Sequence, residues 1–166
     1  MVTIIYGSST LNTEYVSQRL AAAFGPDRAE LFNVSTIASD LIRERRSLVF
    51  VSSTWGVGDL QDDWEAFFPQ VEDIDFSDKT VALVGVGDQE NYPETFCDSI
   101  AILYDAVTDR GGTIVGWTDT DDYTFTSSRA VRDGRFIGLV IDEDNQADRT
   151  DNRIREWVKH VSAAFP

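Results

Sequence analysis

The sequence predicts an α/β fold, a doubly wound five-stranded parallel sheet with helices on both faces. Three observations carry this expectation. Short β-rich runs alternate with helical patterns along the chain, five strand–helix units in a row. The strand centres, Ile4-Ile5, Val49-Phe50-Val51 and Val81-Ala82-Leu83-Val84, are apolar without alternation, as in strands buried on both faces. Gly25-Pro26-Asp27 and Gly111-Gly112 punctuate the pattern where helices end.

Residues 2–6 form the first strand, and residues 14–24 an amphipathic helix with Tyr15, Val16, Leu20 and Phe24 on one face. Residues 29–32 are a short second strand, followed by an irregular helical connection over residues 36–46. The third strand spans residues 47–53; a Gly-containing loop over 54–59 leads to a helix over about 60–68. The fourth strand covers residues 80–84, with a loop over 88–94 and a long helix over about 96–110. Residues 113–117 are the fifth strand. The polar, irregular stretch 118–134 then makes a long insertion in the fifth βα unit. Residues 135–141 return to strand, and residues 150–164 close the chain as a helix with Ile154, Trp157, Val158 and Val161 along one face. With no repeat and no low-complexity tract, residues 1–166 are expected to form one domain.

Composition narrows the function. A formal charge of −15 with a pI near 4.2 makes nucleic acid and anionic membrane poor partners and a basic protein a good one. No apolar run is long enough to cross a membrane, and no basic segment leads into a cleavable apolar one, so the expectation is a cytoplasmic monomer. The single cysteine, Cys97, excludes an internal disulfide and a Cys-based metal or iron–sulfur site, and packing is its expected role. The run Asp142-Glu-Asp144-Asn fails as a calcium loop, because Ala147 and Arg153 stand where glycine and glutamate are required, and no metal is expected. His160 is expected at the surface near a helix C-terminus, Asp119, Asp121 and Asp122 as a solvated cluster, and Glu90, Glu94 and Asp98 as a docking border or solvated acids.

In such sheets ligands bind beyond the carboxyl ends of the strands, at the switch point. The loops to compare are therefore residues 8–13, 54–59 and 87–92. The first offers the hydroxyls of Ser8, Ser9, Thr10 and Thr13 and the start of a helix, which suits a phosphate held by neutral donors; an ordinary βα loop with a Thr cap is the alternative. The other two carry Trp55 and Tyr92, which favour a flat ring stacked between them. The residues point to a phosphorylated, planar, aromatic ligand.

At this point four motifs carry a resemblance to a known family. Tyr6-Gly-Ser-Ser-Thr-Leu-Asn-Thr-Glu14, Ser53-Thr-Trp-Gly-Val-Gly-Asp-Leu-Gln-Asp-Asp-Trp64, Gly85-Val-Gly-Asp-Gln-Glu-Asn-Tyr92 and the closing segment from Gly138 to Ile154 resemble those of flavodoxins, and the insertion resembles the long-chain group. The resemblance runs from end to end. It implies FMN as the cofactor, with Ser8, Ser9, Thr10, Asn12 and Thr13 on the phosphate and Trp55 and Tyr92 sandwiching the isoalloxazine. Asp88 and the backbone at Gly87 are implied at the pyrimidine edge, and the Gly56-Val57 peptide at N5. Leu11, Ser53, Thr54, Gly58, Phe96 and Asp144 complete the implied cofactor set, with no catalytic residue.

The implied function is a low-potential one-electron carrier, not an enzyme. It cycles between semiquinone and hydroquinone, takes electrons from a basic flavoprotein reductase and delivers them to a redox-protein acceptor. The acids and aromatic walls offer no cation to an anionic reduced flavin, which lowers the last potential. One departure stands out: the family usually has glycine where this chain has Leu11, so the loop either carries strain or turns that side chain outward. The alternatives are an FMN-dependent quinone reductase of the same fold and, because of Leu11, a cofactor-poor variant. Trp55 and Tyr92 covering both flavin faces count against the reductase. Gly7-Ser8 and Ser52-Ser53 at the strand ends, in place of acids, exclude a receiver-type signalling module.

Overall fold

The computed structural model describes residues 1–166. Its central sheet contains β1 (Val2–Tyr6), β2 (Ala29–Asn33), β3 (Ser47–Trp55) and β5 (Thr80–Val86), ordered β2-β1-β3-β5 and all parallel. A two-residue strand β4 (Asp59–Leu60) folds back antiparallel on the end of β3. The fifth position is shared. β6 (Thr113–Val115) pairs with the first half of β5, from Thr80 to Ala82, and β9 (Leu139–Ile141) with its second half, from Val84 to Val86. The insertion therefore splits the fifth strand and does not follow it.

Both faces of the sheet are covered, and consecutive residues serve opposite cores. Ile5, Leu48, Phe50, Val81 and Leu83 point to one core, which α3 (Asp62–Glu72) and α4 (Ser99–Thr108) cover with Trp64, Phe67, Ile100 and Leu103. Ile4, Val49, Val51, Ala82 and Val84 point to the other, under α1 (Leu11–Phe24) and α5 (Glu143–Val161) with Val16, Leu20, Ile154 and Trp157. Because each strand residue is buried whichever way it points, the sequence shows unbroken apolar runs. The short α2 (Ser39–Glu44) follows a 3₁₀ turn and adds Ile42 to the first core. No helix is long and apolar enough to cross a membrane.

Several boundaries differ from expectation, each for a local reason. α1 starts at Leu11, so the hydroxyl loop is shorter than expected, and Tyr15 lies exposed with the Arg19 guanidinium 4.4 Å from its ring centroid. α4 starts only at Ser99 because Cys97 takes φ +55°, which a helix does not accept. α5 begins at Glu143, well before residue 150, with Asp142 accepting from the Asn145 N–H as its cap and a kink at Gln146.

The insertion is less irregular than its polar composition suggests. A small antiparallel pair, β7 (Val131–Arg132) and β8 (Arg135–Phe136), lies within it. Tyr123 and Phe125 pack on Phe96 and Phe136 with ring centroids 5.1–5.9 Å apart. The Tyr123 hydroxyl donates to the Val140 carbonyl at 2.5 Å, and the Thr124 N–H to Gln89 Oε1 at 2.6 Å. Asp119 and Asp122 are solvated, as expected, with side chains 76% and 73% exposed, and also form surface ion pairs with Arg135 at 3.3 Å and Arg149 at 3.5 Å.

Candidate functional site

A cleft of about 270 Å³ opens at the carboxyl ends of β1, β3 and β5, where the strand order reverses. The first loop contributes Thr10, Asn12 and Thr13, and the second Ser53, Thr54, Trp55 and Gly56. Gly87, Asp88, Tyr92 and Phe96 come from the third, and Asp144 from the start of α5. Ser8, Ser9, Leu11, Val57 and Gly58 lie outside its lining.

The first wall is the start of α1, whose initial N–H groups have no partner within the helix. Thr13 is 1% exposed and its hydroxyl has no hydrogen-bond partner. A buried, unpaired hydroxyl in the first turn of a helix is costly unless a ligand meets it, and the local dipole favours an anion. No Lys or Arg lines the cleft, so the donors there are neutral. The residues present fit a phosphate group.

The second wall is the hairpin joining β3 to β4. Trp55 pairs with Asp59 across it, and Gly56, Val57 and Gly58 make the turn. Gly56 takes φ +53°, which favours glycine, while the Asp59 carboxylate that a Cβ there would meet at 2.5 Å is exposed and can swing aside. The Trp55 indole N–H donates to Ser53 Oγ at 2.8 Å, which fixes the ring although the residue is 40% exposed. Thr54 Oγ1 donates to Ser99 Oγ and accepts from the Ser99 N–H, both at 3.0 Å, tying the hairpin to α4.

The third wall is a turn held by Asp88, whose carboxylate accepts from the N–H groups of Glu90 and Asn91 at 3.1 and 3.0 Å. Burial pushes the Asp88 carboxyl up, but the bonds from Asn91, Asn145 and Glu90 outweigh it and hold the group below the usual range. Asp144 goes the other way: burial, then the charges of Asp88 and Asp142, raise it against a hydrogen bond from Asn12. Tyr92 stands 59% exposed beside this turn, as an open aromatic wall.

Some expected residues take other roles. Leu11 is 81% exposed and does not have positive φ, so it turns outward without strain, and the ground for a cofactor-poor variant falls away. Val57 is exposed at the hairpin tip, and Gly58 packs where a Cβ meets Asp98 Oδ2 at 2.8 Å. Phe96 is buried and anchors the insertion as well as flooring the cleft. Asp98 is no docking residue: it is 2% exposed and accepts from the Arg129 N–H at 2.7 Å. Burial also raises the Cys97 thiol, and Asp142 and Asp98 raise it further, which leaves it inert.

Sequence reasoning missed Val86, Thr95 and Cys97 in the lining and Gln61 and Asn145 behind it. Gln61 had a signal. It precedes Asp62, Asp63 and Glu65, an acidic first turn that marks a helix start, although glutamine is an uncommon cap. Asn145 had only a local one, its place three residues after the cap Asp142; nothing in the sequence pointed to its bond with Asp88.

Comparison with known proteins agrees with this geometry. The family model described as Flavodoxin matches residues 4–157. The flavodoxin of a Picosynechococcus species is 43% identical over 163 residues, covering 98% of this chain and 96% of its own. The flavodoxin of Helicobacter pylori is 42% identical over 162 residues, covering 98% and 96%. The crystal structure of Fusobacterium nucleatum flavodoxin bound to flavin mononucleotide superposes with a TM-score of 0.95 at 34% identity, covering 99% of this chain and 98% of that one. The family match takes in all three walls of the cleft, and the relatives align from end to end: the chain belongs to the flavodoxin family.

Proposed function

We propose that residues 1–166 act as one FMN-binding domain that carries single electrons between redox proteins. The observation that carries this reading is the buried, unpaired Thr13 hydroxyl at one end of a cleft whose other walls are Trp55 and Tyr92. When bound, FMN supplies the one-electron chemistry. The protein supplies the rest. Thr10, Asn12 and Thr13 of the lining would hold the phosphate, with Ser8 and Ser9 beside them in the same loop just outside it, and Trp55 and Tyr92 would shield the ring. Gly87 and Asp88, which line the cleft, would hold the pyrimidine edge of the ring, and the Gly56-Val57 peptide would be the one available to its N5. The fixed negative charges of Asp88 and Asp144 at the cleft, with no lining cation, oppose any further negative charge there and so favour a low potential.

Titrating the apoprotein with FMN and with riboflavin tests this. One-to-one binding of FMN, much tighter than riboflavin, is expected; no FMN binding at micromolar concentration overturns it.

The electron donor we propose is a basic flavoprotein reductase, because the chain carries −15. Reduction by such a partner should slow by roughly tenfold or more from low salt to 0.5 M, as steering is screened. Stopped-flow rates independent of ionic strength sink the electrostatic part of the proposal.

A further inference from the structure

Behind the first wall of the cleft lies a side chain that touches no part of it. Gln61, at the start of α3, is 1% exposed. Its Oε1 accepts from the N–H groups of Asp63 and Trp64 at 3.1 and 3.3 Å. Both partners are backbone N–H groups and can only donate, so the orientation of the amide is settled: the oxygen takes the first N–H groups of α3, and the nitrogen is left to donate to oxygens. That nitrogen donates to Ser9 Oγ at 3.0 Å and to Asp63 Oδ2 at 3.1 Å. The backbone of Gly7 passes so closely that a Cβ there meets Gln61 Oε1 at 2.1 Å, so the amide packs directly against the end of β1.

This fixes the polarity of one hydroxyl. Ser9 Oγ accepts a hydrogen bond from the Gln61 amide, so its own O–H is free to donate elsewhere. Ser9 stands two residues before the first turn of α1, in the loop whose unpaired donors suit an anion. We infer that Gln61 is a positioning residue for the cofactor phosphate: it holds the Ser9 hydroxyl as a donor and locks the loop between β1 and α1 to the start of α3. The inference rests on the FMN reading above and adds a residue that neither meets the ligand nor lines its cleft.

The test compares FMN, which has the phosphate, with riboflavin, which lacks it, in apoproteins whose thermal unfolding is recorded alongside. Gln61→Met removes the donor without adding charge. It should weaken FMN binding by about tenfold or more while changing riboflavin binding less than about twofold, since a hydrogen bond to a charged group is at stake. Ser9→Ala should show the same selectivity. In the Ser9→Ala background, Gln61→Met should cost FMN less than about twofold, because both changes remove the same oriented proton. If Gln61→Met fails to fold, Gln61→Glu replaces it. That variant keeps the acceptor for α3 but loses the donor and adds a charge, so it is read against Ser9→Ala: its FMN loss should shrink in that background, and riboflavin should be spared in both. Equal losses for both ligands, an unchanged FMN affinity, or full additivity with Ser9→Ala overturns the inference and leaves the FMN reading standing. Wild-type protein that binds FMN no better than riboflavin overturns both.

Discussion

The Asn145 side-chain amide donates to Asp88 Oδ1 at 2.8 Å and so ties the first turn of α5 to the turn that carries Tyr92. The same nitrogen lies 3.0 and 2.9 Å from the two oxygens of Asp142, which also receives the Gln89 N–H at 3.2 Å. One neutral amide thus sits between two carboxylates that are 54 positions apart in number, from Asp88 to Asp142, and keeps the third wall of the cleft against the end of the chain.

Asn145→Ala should destabilise the apoprotein by about 1–2 kcal/mol at pH 7, the cost of unpairing part-buried carboxylates. The pH dependence follows from Asp88, whose folded pKa is depressed. Its stabilisation is present above the unfolded value, near 3.9, and lost as pH falls through the lower folded one. The gap between wild type and variant in denaturant unfolding should therefore be full at neutral pH and close below about pH 4. A gap that is unchanged in acid means that Asn145 acts only by packing.

The core was legible in the sequence and the back of the site was not. Strand centres such as Val49-Phe50-Val51 announce themselves because burial on both faces leaves no polar residue to confuse the pattern. The cleft walls at Trp55 and Tyr92 were legible because large aromatics in turns at a sheet's active edge need a reason. Gln61 and Asn145 can be placed at helix starts from the sequence, but the bonds they make to Ser9 and Asp88, across 52 and 57 positions, leave no trace in it. The split of the fifth strand was hidden because Thr113–Val115 and Leu139–Ile141 each look like a short strand, and only their shared pairing with β5 makes them one position.

Gly56→Val tests the hairpin. The native φ of +53° makes a β-branched side chain costly there. The penalty should be about 1–2 kcal/mol, or a fall in Tm of roughly 2–8 °C for a domain of this size. FMN affinity should fall with it, since Trp55 sits on the same hairpin. An unchanged Tm and affinity mean that the turn takes another conformation in solution.

Asp144→Asn should act in the opposite sense. The folded pKa of Asp144 is raised by burial and by Asp88 and Asp142, so its charged form is disfavoured in the native protein. The wild type pays for that charge at pH 7 and recovers as pH falls through the raised value. The variant should be slightly more stable at neutral pH, by under about 0.5 kcal/mol because the group is exposed to screening, and no more stable than wild type near pH 3. Denaturant unfolding at the two pH values decides it. A variant that is less stable at pH 7 shows that the helix start and Asn12 reward the carboxylate more than its neighbours oppose it.

Leu11→Gly addresses the residue that stands where the resemblance of the first loop leads one to expect glycine. Leucine is costly there if the backbone takes positive φ or if it blocks the approach of a phosphate. Neither condition holds: Leu11 is the first residue of α1, it is absent from the positive-φ positions, and its side chain is 81% exposed. Glycine therefore relieves no strain. It adds backbone freedom to the unliganded loop, and that freedom must be given up when the phosphate is held. It also weakens the first turn of α1 by roughly 0.5–1 kcal/mol, the usual penalty of glycine against a helix former. FMN binding should weaken by about two- to fivefold, the equivalent of that free energy, and riboflavin binding by less. Dissociation constants for both ligands with both proteins provide the measurement. Tighter FMN binding by the glycine variant means that the phosphate draws the backbone closer than the outward-facing leucine permits, and that the loop moves on binding.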